Sequence, residues 1–346
     1  MSELIPAFDW QQVVVSPWRD DPGTFFWIAL MGFLVTVTCG LVGNYLILRR
    51  MALVGDAISH SVLPGLALAF LAAYAISASQ QGPDVPHEDL RKPLLMFAGA
   101  LAAGILTAVL IEWIHTKSRV KQDAAIGITF SSLFAFGVIL ISLFASRIDL
   151  DQDCVLYGEI GYVPLELGPG DWVPPSVLRM GIVALLTVVW IVVFYKELLV
   201  SSFDPGLAAS LGINATLVHY AMMCWLSVVV VSAFESVGAI LVIAMLVFPG
   251  ATASMLARRL PAMLLWTVLQ AALSSLLGLH LSLWLDCYPA GAMAVAAAGL
   301  FVVAWVAAPR EGLLATWWRR RQMALEEPSI PEPPALGDGP MNPRSD

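Results

Sequence analysis

The sequence predicts an all-α fold, a polytopic bundle of transmembrane helices, and three observations predict it. Of 346 residues, 59% are hydrophobic and only 13% charged, against about 25% charged in soluble domains. The apolar residues fall in runs of about 18 or more, long enough to cross a hydrocarbon core of roughly 30 Å. Short loops between the runs carry the Arg and Lys residues, the asymmetry that orients a membrane protein. In hydrocarbon the backbone must satisfy its own N–H and C=O groups, so each run reads as a helix.

Taken in order, residues 25–48 form the first run, closed by Arg49-Arg50-Met51. A second run, 53–76, follows with almost no loop, and 77–93 is a polar outer loop. A third run, 94–114, returns to the basic loop Lys117-Ser118-Arg119-Val120-Lys121, and a fourth, 124–145, leads into the acidic loop 146–176. A fifth, 177–195, ends at Lys196-Glu197, and a segment over 196–216 precedes the long apolar stretch 218–256. As one straight helix that stretch would measure roughly 58 Å, nearly twice the hydrocarbon thickness. It must break, and Ser232 to Gly238 is the predicted place. Two more runs, 261–284 and 289–308, flank a turn that follows Arg258-Arg259.

The count is nine crossings, or eight if one is re-entrant. Nine crossings put the N-terminus outside and the C-terminus in the cytoplasm, with every basic cluster inside. The chain divides into an N-terminal outer arm (1–22), a transmembrane domain (23–309), and a juxtamembrane segment with a Pro-rich acidic tail (310–346). The tail is too poor in apolar residues to bury a core and is predicted to be disordered. The arm is acidic and broken by prolines, unlike a cleavable signal sequence.

Ionisable residues inside apolar runs are costly and mark candidate sites. Asp56 and His60 are four apart, so on a helix they share one face. A carboxylate and an imidazole together suit Zn, Mn or Fe(II). Pro64 has no N–H to offer the His60 carbonyl and kinks the helix there, with Gly65 beside it. The plainer alternative is that Asp56 complements the dipole of the helix N-terminus while His60 bonds a neighbouring helix. Glu235 interrupts apolar sequence in Ser232-Ala233-Phe234-Glu235-Ser236, either as a third ligand on the same path or as a turn cap.

A different signal lies in Ser202-Phe203-Asp204-Pro205 followed by Ala208-Ala209-Ser210-Leu211-Gly212. Asp204 suits an N-cap, Pro205 the first helical position and Gly212 the stop, which predicts a two-turn helix over 204–212. So short a helix is unstable alone. It rests either under its own membrane domain or in a groove on a separate protein. His115, His219 and His280 have no ligand-type neighbours at useful spacing, and His87 sits in a solvated loop with Asp84, Glu88 and Asp89. Cys154 and Cys287 both fall in outer loops, where the two could pair.

Several classes are excluded. No Lys follows a GxxxxGK[ST] phosphate cradle and no HExxH is present, so the sequence offers neither a Walker A ATPase nor a zinc protease of that type. No basic face with interleaved aromatics points to nucleic acid.

Four landmarks then carry a resemblance: 49–60, Arg-Arg-Met-Ala-Leu-Val-Gly-Asp-Ala-Ile-Ser-His; Asp123 to Ile128 with Phe130 to Leu133; Ser202 to Pro205 with Ala208 to Gly212; and Glu235 to Gly238 leading into Pro249-Gly250-Ala251-Thr252-Ala253. Over about residues 20–309 the chain resembles the manganese, zinc and iron permeases of ABC transporters, whose fold is similar to that of metal-chelate ABC permeases. The resemblance implies a pore of two permease chains, identical or paired with a sister subunit, in the lipid of a bacterial inner membrane. It implies two cytoplasmic ATPase subunits and an extracytoplasmic metal-binding protein. It also implies that Asp56 and His60 line the ion path, and that Phe203, Asp204, Pro205, Ala208, Ala209 and Gly212 couple to the ATPase. The transported Zn, Mn or Fe ion is cargo, and no permanently bound cofactor is expected.

Overall fold

The computed structural model describes residues 8–81, 93–144, 160–168, 170, 172–308 and 312–318. Among them every regular element is helical. Besides a π-helix at Gln11–Val15 and a 3-10 helix at Ile160–Glu166, the α-helices are, in chain order, α1 (Ser16–Asp20), α2 (Pro22–Leu48), α3 (Leu53–Gln81), α4 (Pro93–Lys117), α5 (Gln122–Phe144), α6 (Pro175–Val193), α7 (Tyr195–Phe203), α8 (Pro205–Ser210), α9 (Ala215–Leu256), α10 (Leu260–Leu285) and α11 (Pro289–Ala307). Eight of these helices contain stretches long and apolar enough to cross a membrane. The predicted bundle is the observed one. The Pro-rich tail from 319 onward, the His87 loop and Cys154 lie outside the described residues.

Helix α2 is the hub. In its most apolar stretch 67% of residues are buried, against 22% in α5, so α2 is an inner helix and α5 a peripheral one. Close packing on α2 depends on small residues. A Cβ on Gly43 would overlap the backbone carbonyl of Leu246 in α9, and one on Gly65 in α3 would overlap that of Gly99 in α4. Without a hydrophobic drive between helices in lipid, such close backbone approach supplies the packing energy. Many hydroxyls in the spans bond back to carbonyls one turn earlier, as Thr36 does to Gly32, Ser59 to Gly55 and Thr107 to Ala103, which satisfies those donors within their own helix.

Among the described residues, α9 breaks from regular helix inside the membrane part. Gly238 takes φ 76° and ψ 166°, a region essentially restricted to glycine. The chain turns back there. His219 touches Arg49 at the end of α2, while Leu246 and Gly250 pack against Gly43 and Asn44, also near that end. A continuous helix would separate His219 from Gly250 by roughly 46 Å. Only a reversal brings both to the same end of α2. The returning segment, Leu241–Leu256, is shorter than the other spans. At roughly 24 Å its helix is shorter than the hydrocarbon core, yet it brings the chain back to the α2 C-terminal end, where Gly250 meets Asn44 and Ile47. The two sequence counts, nine and eight, differ over this segment alone.

The reversal sorts the loops. Arg49-Arg50, the 117–121 loop, Lys196 and Arg258-Arg259 gather at the end of the bundle marked by the α2 C-terminus. At the opposite end α1 reaches α10, where Trp18 Nε1 donates to His280 Nε2 at 3.2 Å.

Three boundaries differ from expectation. Helix α3 continues to Gln81, past the predicted loop start at 77. Within the acidic loop, Ile160–Glu166 forms a 3-10 helix, because Ile160 and Val163 stack at the i, i+3 spacing of that helix and are both buried. Residues 195–203, predicted only as part of an irregular segment, form α7 because Leu198 and Ser201 bury one face.

Replacing Gly238 by Ala places a Cβ in a forbidden backbone region and is expected to cost about 1–3 kcal/mol. Thermal unfolding in detergent should show G238A melting below the parent. G291A, whose new Cβ meets nothing within 4 Å, should melt at or slightly above it.

Candidate functional site

Asp56 lies in the first turn of α3 and His60 one turn on. Around them Val54, Ala57, Ile58, Ser59, Ser61 and Val62 are buried. The half-open stripe of the helix is Leu53, Asp56, His60 and Leu63, spaced three, four and three apart, as one helical face requires. His60 Nε2 is 3.2 Å from Asp56 Oδ1, and the two side chains are 28% and 38% exposed. The His60 ring also packs against Phe130 and Phe134 of α5, centroids 5.2 and 6.0 Å away. Pro64 interrupts α3 four residues after His60, and α5 fits its kink, since a Cβ on Gly137 would come within 2.9 Å of the Pro64 ring. The pair is thus one carboxylate and one imidazole on an accessible face, walled by aromatics.

Among the described residues no group of three or more His, Cys, Asp or Glu side chains converges as a metal cage. Glu235 lies in α9 three residues before the reversal. A Cβ on Gly104 would contact both Ile58 and Ser227 at 3.3 Å, which sets Ser227 level with the Asp56–His60 turn. Eight residues of helix carry the Glu235 backbone roughly 12 Å beyond that level. The described backbone brings Asp56 and His60 together and leaves Glu235 about two turns away.

The predicted short helix is α8. Asp204 caps it, its Oδ1 accepting from Gly206 N at 2.9 Å and Leu207 N at 3.0 Å. At the other end Gly212 takes φ 78°, with Gly212 N donating to Ala209 O and Ile213 N to Ala208 O. That is the paired-bond stop of a Schellman motif, which needs a left-handed residue at Gly212. Ala208 is buried, whereas Phe203, Leu207 and Leu211 are 59%, 50% and 61% exposed. Leu207 and Leu211 lie one turn apart along α8 and its C-cap, and Phe203 ends α7 just before the extended Asp204, so the three form an exposed apolar strip beside the short helix.

One constellation was not legible in the sequence. Arg49 donates from Nε to Ser202 Oγ at 3.1 Å and from Nη2 to Ser201 Oγ at 2.7 Å. Its Nη1 meets His219 Nδ1 at 3.0 Å, and His219 Nε2 meets Glu112 Oε2 at 3.0 Å. His219 and Glu112 are only 14% and 16% exposed, and burial draws the Arg49 guanidinium below its ordinary value while leaving it charged. The available signal was Glu112 itself, an acid near the end of an apolar run that needs a buried partner.

Fold and site together define a polytopic helical membrane protein with an ionisable pair on a kinked inner helix. The sequence pattern of the ABC 3 transport family matches residues 23–308, and the chain belongs to that family. The manganese transport system membrane protein MntD of Bacillus subtilis (strain 168) is 41% identical over 309 residues, covering 87% of this chain and 97% of that protein. The zinc transport system membrane protein TroD of Treponema pallidum (strain Nichols) is 38% identical over 301 residues, 86% of this chain and 78% of that one. Among solved structures, PsaBC from Streptococcus pneumoniae in complex with Fab superposes with a TM-score of 0.68 at 32% identity, covering 88% of this chain and 98% of that one.

Removing the α8 cap by Asp204→Ala should cost about 1 kcal/mol locally. Hydrogen exchange of the 205–211 amides should accelerate, while exchange in α2 stays unchanged.

Proposed function

We propose that this chain is the membrane-spanning permease of an ABC importer that moves a divalent transition metal, manganese or zinc, into the cytoplasm. The observation that carries this reading is the Asp56–His60 pair, 3.2 Å apart on the half-open face of α3 and one turn before Pro64. Relatives whose names specify manganese or zinc transport support the cargo class. An Asp–His pair fits both ions and also Fe(II), so iron is an outcome of the test.

The basic loops at the α2 C-terminal end support a cytoplasmic position for that end, and with it an outer N-terminus and an inner C-terminus. A bacterial inner membrane is the setting. On that orientation α8 and its apolar strip of Phe203, Leu207 and Leu211 face the cytoplasm, where an ATPase subunit would dock. The sequence has no phosphate cradle of its own, which supports a separate source of ATP hydrolysis. An extracytoplasmic metal-binding protein would deliver the ion at the opposite end, and a second permease chain would complete the pore.

In this mechanism the ion leaves its carrier and exchanges part of its water shell for Asp56 carboxylate oxygen and His60 imidazole nitrogen. Two protein ligands from this chain hold it firmly enough to admit it and weakly enough to let it leave, which conduction requires. Neutral imidazole is the ligating form, and because Nε2 faces the Asp56 carboxylate at 3.2 Å, its proton must pass to Nδ1 through water before Nε2 can take the ion.

The test is cellular uptake of manganese, zinc and iron, counted by mass spectrometry, in cells that lack their own importers and express the chain with its ATPase and binding protein. Wild type is expected to accumulate manganese or zinc. His60→Ala and Asp56→Ala, at equal membrane abundance, should each reduce uptake by about ten-fold or more, as loss of metal-site groups commonly does. Normal uptake by His60→Ala would remove the pair from the ion path. Accumulation of iron alone would correct the cargo.

A further inference from the structure

The buried chain Glu112–His219–Arg49–Ser201/Ser202 has no part in holding the ion, yet it joins four elements. Glu112 belongs to α4, His219 to α9, Arg49 follows the end of α2, and the two serines belong to α7. A cation relay is a poor reading of it. The Arg49 guanidinium lies 3.0 Å from the His219 ring, and a fixed positive charge at that distance repels a metal ion. A guanidinium has no acceptor, so His219 Nδ1 must accept from Arg49, and the ring proton resides on Nε2 and points to Glu112. Every bond in the chain therefore has a fixed direction.

Both ends of this chain are attached to functional parts. On one side, Ser202 lies two residues before Asp204, the α8 N-cap, and Asp204 N donates to Val200 O at 2.9 Å, so α7 continues into the cap. On the other, Arg49 is followed by a turn with no slack. Arg50 takes φ 58°, Arg50 N donates to Ile47 O and Met51 N to Leu46 O, and Val54 N donates to Met51 O. Met51 and Val54 are buried, and Asp56 comes two residues later. The depth fits as well. Gly104 and Ser227 lie level with Ile58, and Glu112 and His219 each lie eight residues from them toward the α8 end. The cluster thus sits roughly 12 Å below the Asp56–His60 turn, between it and α8.

We propose that Arg49, bonded to Ser201, Ser202 and His219 and backed by Glu112, is the positioning residue that carries displacement of α8 to the first turns of α3. When α8 moves with a docked partner, α7 moves with it. The Ser–Arg49 bonds transmit the shift through the tight 49–53 turn, and α3 re-aims Asp56 and His60. Glu112 and His219 anchor the guanidinium against α4 and α9, so it acts as a pivot rather than a flexible tether. The inference rests on the permease reading above and extends it to the residues that couple the two ends.

The test uses the chain assembled with its ATPase and binding protein in proteoliposomes, with Mn²⁺ and Zn²⁺ as probes. Two variants interrupt the chain: the double substitution Ser201→Ala/Ser202→Ala, which leaves Arg49–His219–Glu112 intact, and Arg49→Lys, which keeps the charge but loses the fork. The readout is metal moved per ATP hydrolysed. Both variants should lower this ratio at least five-fold in complex that still assembles to the parent's abundance, whatever the loss of the Arg49 bonds costs in thermal midpoint. An unchanged ratio, or hydrolysis and uptake falling together with abundance, would make the cluster merely structural and overturn the proposal. A cargo-independent readout separates this from failure of the metal reading. A fluorophore on Leu53→Cys, in a background with the four native cysteines replaced by Ala, should report ATP binding in the parent and not in the double-serine variant. A signal equal in both, or absent from the parent, overturns the latch whichever ion is carried.

Discussion

A peptide group in hydrocarbon has no water to turn to, and the whole architecture follows from that restriction. It forces each apolar run into a helix, confines turns to the two ends, and makes any interior break expensive. The break at Gly238 is surrounded with protein. Ala233 and Val237 just before it and Val242 just after it are fully buried. The returning half of α9 then lies against α2 backbone to backbone at Gly43. The same restriction explains why the serine and threonine hydroxyls of the spans point back to their own helices, and why the ionisable residues of the interior come in contact with one another.

Those ionisable residues form two groups of opposite character. Asp56 and His60 are half open, bonded only lightly to each other, and flanked by aromatic rings, an arrangement that leaves their lone pairs available. Arg49, His219 and Glu112 are closed in, with all three guanidinium nitrogens and both ring nitrogens of His219 bonded. Removing one partner from such a buried set leaves an uncompensated charge, which is far costlier than the pair is worth. Openness suits a place where an ion must come and go; closure suits a joint. The same chemistry, carboxylate beside imidazole, serves two purposes because the surroundings differ.

Much of this was legible in the sequence for plain reasons. Span number and limits follow from bilayer thickness, and α8 announces itself through Asp204, Pro205 and Gly212, residues whose backbone preferences are strong enough to act locally. The break in 218–256 followed from length alone. Its consequence, a full reversal, did not, because it depends on the backbone angles of a single glycine. Helix α7 escaped because nine residues carry too little periodicity to read. The Arg49–His219–Glu112 chain joins positions 107 and 170 residues apart, and no local pattern encodes a partner at that distance. Glu235 sits on α9 about two turns further along the bundle than the Asp56–His60 turn, a depth that no local sequence pattern gives.

The strip formed by Phe203, Leu207 and Leu211 has a cost outside transport. Three large apolar side chains held on and beside a well-capped short helix are suitable for burial in a partner and unsuitable for standing in water. A copy of this subunit made without that partner would offer the strip to other orphan copies and to the chaperones and proteases that survey exposed hydrophobic surface. Matched synthesis of the subunits would then be a matter of protein quality control as much as of transport capacity.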